Sequence, residues 1–130
     1  MTSRLLGGDP PGPDAVRRAR AEVERYVSAL APPPPRTAFA VGGSARALKR
    51  LEGAELGSDE LEHAIDLLTE TPATEVALRF GFDDQRARTL LAGALILSAL
   101  QAALAAPLEV VRGGLRDGAL AELAARRAAA

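Results

Sequence analysis

A long apolar segment in the last third of the chain constrains the fold more than any other feature. The residues from Leu90 to Ala105 carry no charge, and a short apolar run, Pro107–Val111, and the pair Gly113-Gly114 follow them. Asp83 precedes the segment and is of the type that caps helix N-termini, whereas paired glycines are typical of turns. This order predicts a long helix to about Ala105, a short strand and a final helix that frays in the Ala-rich tail.

The long helix is expected in the core of the protein rather than in a membrane. Its uncharged part is shorter than the ~20 residues that cross a bilayer, and it contains Ser98 and Gln101. The segment MTSRLLGGDPPGP lacks an apolar run long enough for a signal peptide. We therefore expect a cytoplasmic protein that has no membrane partner.

Composition excludes several functions. The chain has 130 residues, a formal net charge of −1, no cysteine and one histidine. Disulfides, thiolate metal sites and thiol nucleophiles are excluded, and the charge gives no general attraction to nucleic acid. His63, beside Glu62, is expected to be an exposed histidine and a poor base for a nucleophile.

Apolar residues at three- and four-residue steps predict further helices. The first helix begins at Pro13 and has an apolar face of Val16, Ala19, Val23, Tyr26, Val27 and Leu30. The next has Ser58 as its N-cap and a buried stripe of Leu61, Ala64, Ile65 and Leu68. A short helix begins at Thr71-Pro72 and reaches about Arg79, before a break at Phe80-Gly81-Phe82.

An early strand and a glycine turn complete the predicted elements. Arg36–Val41 is apolar and bounded by proline and glycine, which predicts a short buried strand. Gly42-Gly43-Ser44 follows, and a helix from Ala45 to Leu51 comes after it. The fold class is a helix-rich α/β domain, in which two strands are too few to close a sheet.

The glycine turn is the best candidate for a phosphate- or nucleotide-binding site. A strand, a glycine pair and a helix turn backbone N–H groups toward an anion. Gly42 and Gly43 allow close approach, Ser44 can bind a phosphate oxygen, and Arg46 lies one turn into the helix. The alternative is a tight structural turn in which Ser44 caps the helix.

Two other segments have structural explanations. The stretch Gly113–Gly118 invites the same phosphate-binding idea, but a strand-to-helix turn with Arg116 and Asp117 on the surface explains it as well. The acids Asp59, Glu60 and Glu62 follow a helix start, where the helix dipole favours carboxylates. We predict no catalytic residue and no metal ligand in this chain.

Four motifs, in order, resemble the Ppx/GppA family of exopolyphosphatases and guanosine pentaphosphate phosphohydrolases. They are SRLLGGDPPGPDAVRRARAEV, AFAVGGSARALKRL (family VGGTA), RARTLLAGALIL (family RADVILAGALIL) and LEVVRGGLRDGAL (family LTVSDRGLREGLL). The resemblance implies one partial domain, residues 1–130, that corresponds to the C-terminal half of the catalytic unit. It implies part of the second lobe of the actin-like ATPase (acetate and sugar kinase/Hsp70/actin) superfold.

The resemblance also implies a chemistry. Complete family enzymes use a glutamate-activated water, two phosphate loops and Mg²⁺ to release terminal phosphate from polyphosphate or pppGpp. Both loops and the glutamate are missing from this chain, so we expect it to be inactive alone and to carry no cofactor. Met1 then suggests a truncated or mis-started gene product. A non-catalytic phosphate- or nucleotide-binding module and a protein-interaction module are the alternatives, and homo-oligomerisation is open.

Two positions depart from the family pattern. Arg88 stands where the family's RAD has an acid, and Arg112 stands where V-S-D has one. Arg112 follows a strand at the edge where ligands of such folds bind, so this change bears on function more directly than that at Arg88.

Overall fold

The computed structural model describes residues 5–113 and 115–129, with side chains omitted for 115–119. Six helices and three strands are described there. In chain order they are α1 (Pro13–Ser28), β1 (Ala38–Ala40), α2 (Gly43–Glu52), β2 (Glu55–Leu56), α3 (Ser58–Glu70), α4 (Ala73–Phe80), α5 (Asp84–Leu104), β3 (Leu108–Val110) and α6 (Leu115–Ala129).

The three strands form one sheet in the order β1-β3-β2. β1 runs parallel to β3, with Ala38 opposite Leu108 and Ala40 opposite Val110. β2 runs antiparallel to β3. Because β1 and β3 are parallel, their carboxyl ends meet at one edge of the sheet, where the chain continues into the glycine turn and into Arg112.

The sheet buries one face and exposes the other. Ala38, Ala40, Leu108 and Val110 are buried, whereas Phe39 on the opposite face is 60% exposed. The alternation follows from the two-residue period of a strand. The prediction of a buried strand at Arg36–Val41 is therefore right for one face only.

α5 lies in the core, as predicted. It contacts α1, α2, α3 and α4, and its buried residues include Leu90, Leu91 and Leu95. By length and composition alone it is also the one helix in the described residues that could cross a membrane. Its packing against four helices explains its apolar character without a bilayer.

Most predicted boundaries are confirmed within a few residues. Asp83 caps α5, and its Oδ1 accepts a hydrogen bond from the backbone N–H of Arg86 at 2.7 Å. Gly81 ends α4 in the left-handed conformation, with φ 73°. The stripe Leu61, Ala64, Ile65 and Leu68 is buried. Gly114, in the predicted second glycine turn, lies outside the described residues.

Other predictions were wrong in ways that have local causes. Tyr26 and Leu30 are 66% and 67% exposed. Leu30 lies beyond the end of α1 at Ser28, whereas Tyr26 lies within the helix and is not covered by a neighbouring element. The sheet has a third strand, Glu55–Leu56, which is too short to show a periodic pattern. The N-cap of α3 is Gly57, whose N–H donates to Glu60 Oε2 at 3.2 Å, so Ser58 is the first helical residue. α6 is helical to Ala129 rather than frayed.

We expect Leu90→Ala to destabilise the fold by about 2–5 kcal/mol, because a fully buried leucine leaves a cavity when it is truncated. Leu90 is 0% exposed, whereas Leu78 is 88% exposed and provides the matched control. Leu78→Ala should change the free energy of unfolding by less than about 0.5 kcal/mol. Urea unfolding measures both, and equal effects would show that α5 does not occupy the core.

Candidate functional site: a cationic cleft beside the glycine turn

The glycine turn connects β1 directly to α2. Gly42 is the N-cap of α2 with φ 103°, a conformation that favours glycine, and its C=O accepts from the N–H of Arg46 at 3.0 Å. Gly43 and Ser44 belong to the first turn of the helix. The tight strand-to-helix turn of the structural alternative is therefore present, but its assignment of the N-cap to Ser44 is wrong.

The guanidinium of Arg86, from another helix, lies directly against Gly43. A Cβ atom built at Gly43 would overlap the guanidinium of Arg86 on α5. The Nη1 group of Arg86 also donates to Ser44 Oγ at 3.3 Å. Arg86 thus covers the backbone of the glycine turn and binds the side chain that follows it.

A second glycine brings α2 and α5 together. A Cβ atom built at Gly93, two turns along α5 from Arg86, would lie 2.7 Å from Ser44 Oγ and 2.9 Å from Ser44 Cβ. These distances are shorter than real side chains tolerate, so the two helices can approach this closely only because position 93 is glycine.

An open cleft with a volume of about 580 Å³ lies next to this contact. Five cationic side chains and one carboxylate line it, together with Gly43 and several apolar groups. The charged members are Arg46, Lys49, Arg50, Asp83, Arg86 and Arg112. Of the predicted site residues, Gly43 and Arg46 line the cleft directly, while Gly42 and Ser44 lie immediately beside Gly43 in the chain.

The cations come from different elements. Arg46, Lys49 and Arg50 have helical spacings of three and four and so share one face of α2. Arg86 comes from α5, and Arg112 follows β3 at the carboxyl end of the strand. Since Val111 N donates to Ala40 O at 3.1 Å, the segment before Arg112 runs alongside the one that leads to Gly42.

Arg50 is held by the turn between α4 and α5. Its Nη1 donates to the carbonyl oxygens of Phe80 and Gly81, at 3.4 and 3.1 Å. Its Cζ lies 5.3 Å from the centroid of the Phe82 ring, within the range of a cation–π contact. Phe82 is the aromatic residue that lines the cleft, and this guanidinium stacks on it.

The cleft has a strong excess of positive charge. Within residues 5–113 and 115–129, none of the five cations forms an ion pair with a described carboxylate. Asp83, the lining acid, is engaged in capping α5. An arrangement of this kind attracts anions and binds phosphate oxygens through charge-assisted hydrogen bonds.

The donor set does not fit a protein-held Mg²⁺ ion. Mg²⁺ takes oxygen ligands, usually carboxylates and water, whereas five cations surround the single carboxylate of the cleft. In the described part of the chain, no three His, Asp or Glu residues gather into a metal-binding group. These residues would therefore not retain the ion themselves.

The remaining sequence candidates lie elsewhere. His63 is exposed, and its Nδ1 lies 2.5 Å from Glu52 Oε1, so its carboxylate partner comes from α2. Arg88 lines a different groove, together with residues of the segment Leu6–Pro11. Gly113 has φ 130°, and the side chains of Arg116 and Asp117 lie outside those described.

From the sequence, Arg86 belongs to the motif RARTLLAGALIL and Arg112 is a departure from the family pattern, but neither is grouped there with Lys49 or Arg50. The spacing of Arg46, Lys49 and Arg50 on one helix face was a usable signal for part of this cluster. No local pattern could reveal that Arg86 meets Ser44, because these residues are distant in sequence and meet only in the folded chain.

Solved structures share this architecture. A crystal structure of the Aquifex aeolicus member of the Ppx/GppA family matches 97% of this chain with a TM-score of 0.89 and 26% sequence identity. The type II variant of the Aquifex aeolicus Ppx/GppA phosphatase matches 92% with a TM-score of 0.83 and 28% identity. An exopolyphosphatase-like protein at 18% identity, with a TM-score of 0.79, supports the fold alone.

These matches cover 45%, 44% and 48% of the other chains, so this chain spans less than half of their length. No protein-family profile and no curated protein sequence matches the chain. The neighbours imply the actin-like ATPase fold, and the helix-rich chain with its small sheet is consistent with part of one lobe. The resemblance to the Ppx/GppA family that the sequence predicted is thereby confirmed.

We expect Gly43→Ala to displace the Arg86 guanidinium and break its hydrogen bond to Ser44. In an Arg86→Gln background, Gly43→Ala should lower the free energy of unfolding by a smaller amount, because the guanidinium that it displaces is absent. A double-mutant cycle of urea unfolding should give a coupling free energy of about 0.5 kcal/mol or more. Gly7→Ala is the control, since nothing lies within 4 Å of a Cβ atom there. Strict additivity of the Gly43 and Arg86 changes would contradict the contact.

Proposed function

We propose that this chain forms the phosphate-binding side of a phosphoanhydride hydrolase that releases terminal phosphate from polyphosphate or pppGpp. We assign it to the second lobe of the actin-like superfold. The observation that carries the proposal is the cleft with five cations, lying on a fold that resembles Ppx/GppA phosphatases.

The cations account for the binding part of the reaction. Phosphoryl transfer places charge on the phosphoryl oxygens, and fixed positive groups stabilise that charge as it develops. Arg86 is suited to this task because its guanidinium lies against Gly43 and donates a hydrogen bond to Ser44 Oγ, which directs it toward the glycine turn. Arg46 and Lys49 extend the positive surface along α2.

Activation of water requires a base, which we do not assign to this chain. Asp83, the carboxylate of the cleft, accepts the Arg86 N–H as a helix cap, so its Oδ1 is already engaged in holding the start of α5. Any Mg²⁺ would enter with the phosphates of the ligand. The chain would then bind and orient the substrate, and hydrolysis would depend on groups beyond those that line this cleft.

A non-catalytic phosphate-binding module is the second candidate. The hydrogen bond that engages Asp83 as a helix cap favours this second candidate. The other charged groups that line the cleft are cations, which suit anion binding rather than proton transfer. The cytoplasmic location and homo-oligomerisation suggested at the start remain predictions.

We expect the chain to bind tripolyphosphate at low ionic strength, and we expect Arg86→Gln to weaken that binding roughly tenfold, the scale of one charge-assisted hydrogen bond. Isothermal titration calorimetry measures both affinities. Arg127→Gln, which removes an exposed cation of α6 that does not line the cleft, is the control. Equal losses in the two variants would mean that the cleft is not the binding site.

We expect no phosphate release above background from polyphosphate or pppGpp, with Mg²⁺ present, because the carboxylate that lines the cleft, Asp83, is engaged as the cap of α5. A colorimetric assay of released phosphate tests this. Turnover that disappears in Gly43→Val would contradict the prediction and would show that the chain hydrolyses phosphoanhydrides by itself.

A further inference from the structure

In the described part of the chain, the three-stranded sheet leaves one of its faces without a covering layer. This open face carries Phe39 of β1, Glu109 of β3 and Glu55 of β2, and all three are exposed. Val41, which directly follows β1, is exposed as well. Parallel strand pairs such as β1 and β3 are normally covered on both faces, and exposed apolar side chains that lie together are typical of interaction sites. The open face therefore favours a partner.

Two carboxylates occupy directly opposed positions on the open face. Glu55 stands opposite Glu109 in the antiparallel pair, and Phe39 stands opposite Glu109 in the parallel pair. Like charges in a cross-strand pair are unfavourable, and neither acid takes part in the ion pairs of the described residues. The open face thus has an apolar side at β1 and an acidic side at β3 and β2. A cation supplied to the acidic side would relieve the repulsion.

Helix α6 presents the complementary pattern. Leu120 and Leu123 are exposed, and Arg127 lies seven and four residues further along the chain, so the three side chains share one face of the helix. Arg126, beside Arg127, is bonded to Glu122 at 2.5 Å. Arg127 itself takes part in no ion pair among the described residues. This face of α6 therefore offers two leucines and one cation.

The open face and the apolar face of α6 do not cover each other within one molecule. Phe39, Leu120 and Leu123 are all exposed in the same structure. At about 1.5 Å per residue, α6 is about 22 Å long, which is long enough to cross the three strands at their spacing of about 4.8 Å. Both surfaces are therefore free to meet their counterparts on a second copy of the chain.

We infer that two copies of this chain associate by exchanging α6, so that α6 of each copy lies on the open face of the other. Leu120 and Leu123 then cover Phe39 and Val41, and Arg127 lies beside the two opposed carboxylates. In a twofold dimer the same contact forms twice. The contact is small, which predicts micromolar rather than nanomolar affinity. This inference is independent of the proposed phosphate-binding function.

Sedimentation equilibrium of the full chain measures the association. Leu123→Asp and Phe39→Asp should each raise the dimer dissociation constant tenfold or more, because each places a charge at the centre of an apolar contact. Leu78→Asp makes the same change at an exposed leucine of α4 and is the matched control. It should leave the constant within about twofold. Circular dichroism verifies that the variants are folded.

A mixture of two variants tests the exchange itself. Neither Leu123→Asp nor Phe39→Asp should dimerise well alone, because each substitution disrupts both contacts of its own dimer. In the mixed dimer, α6 of the Phe39→Asp chain meets the unaltered sheet of the Leu123→Asp chain, so one contact is intact. The mixture should therefore associate more tightly than either variant by itself.

A charge exchange tests the role of Arg127. Arg127→Glu should weaken the dimer several-fold, because it adds a third carboxylate beside Glu55 and Glu109. Glu109→Lys, combined with Arg127→Glu, should restore the dissociation constant to within about threefold of the original. The same Glu109→Lys change without Arg127→Glu should not strengthen the dimer, since it places two cations together.

Three results would overturn the inference. The first is a chain that stays monomeric up to millimolar concentration, as it would if α6 closed on its own sheet or if another protein covered the open face. The second is an equal loss in Leu123→Asp and Leu78→Asp. The third is a mixture of Leu123→Asp and Phe39→Asp that associates no better than the separate variants.

Discussion

The close approach of α2 to α5 is the contact on which the candidate site depends. It requires glycine at position 93, because a side chain there would overlap Ser44, whereas a side chain at Gly43 would displace the flexible end of Arg86. Interiors are packed so tightly that one added methyl group is felt. Gly93 therefore allows the start of α2 to pack closely against α5, and the cationic face of α2 lines the cleft beside this contact.

The candidate site also depends on the parallel pairing of β1 with β3. It brings the glycine turn and the residue after Val111 to one edge of the sheet, which is where ligands bind in open α/β folds. The guanidinium of Arg86 lies near the positive end of the α2 dipole. The guanidinium of Arg86 and the N-terminus of α2 repel each other at this distance, so an anion placed between them interacts favourably with both.

Sequence periodicity predicted the elements that bury one face, and it missed what depends on distant contacts. α5 and the stripe of α3 followed from apolar spacing because burial in the core imposes that spacing. Tyr26 fits the same helical period as its buried neighbours yet is exposed, since periodicity cannot show how far a neighbouring surface extends. β2 has only two residues and gains its structure from β3. The contact of Arg86 with Ser44 joins elements that the sequence alone does not bring together.

Arg88 and Arg112 both depart from the family pattern, and the fold places only Arg112 at the cleft. Residues 86 and 88 differ by about 200° around the helix axis at 3.6 residues per turn, so Arg88 lies away from the cleft and lines the other groove. Arg112 instead joins four other cations. Replacing an acid by arginine at that point removes a repulsion toward phosphate and adds an attraction. Under the proposed function, this substitution would strengthen anion binding rather than remove a binding surface.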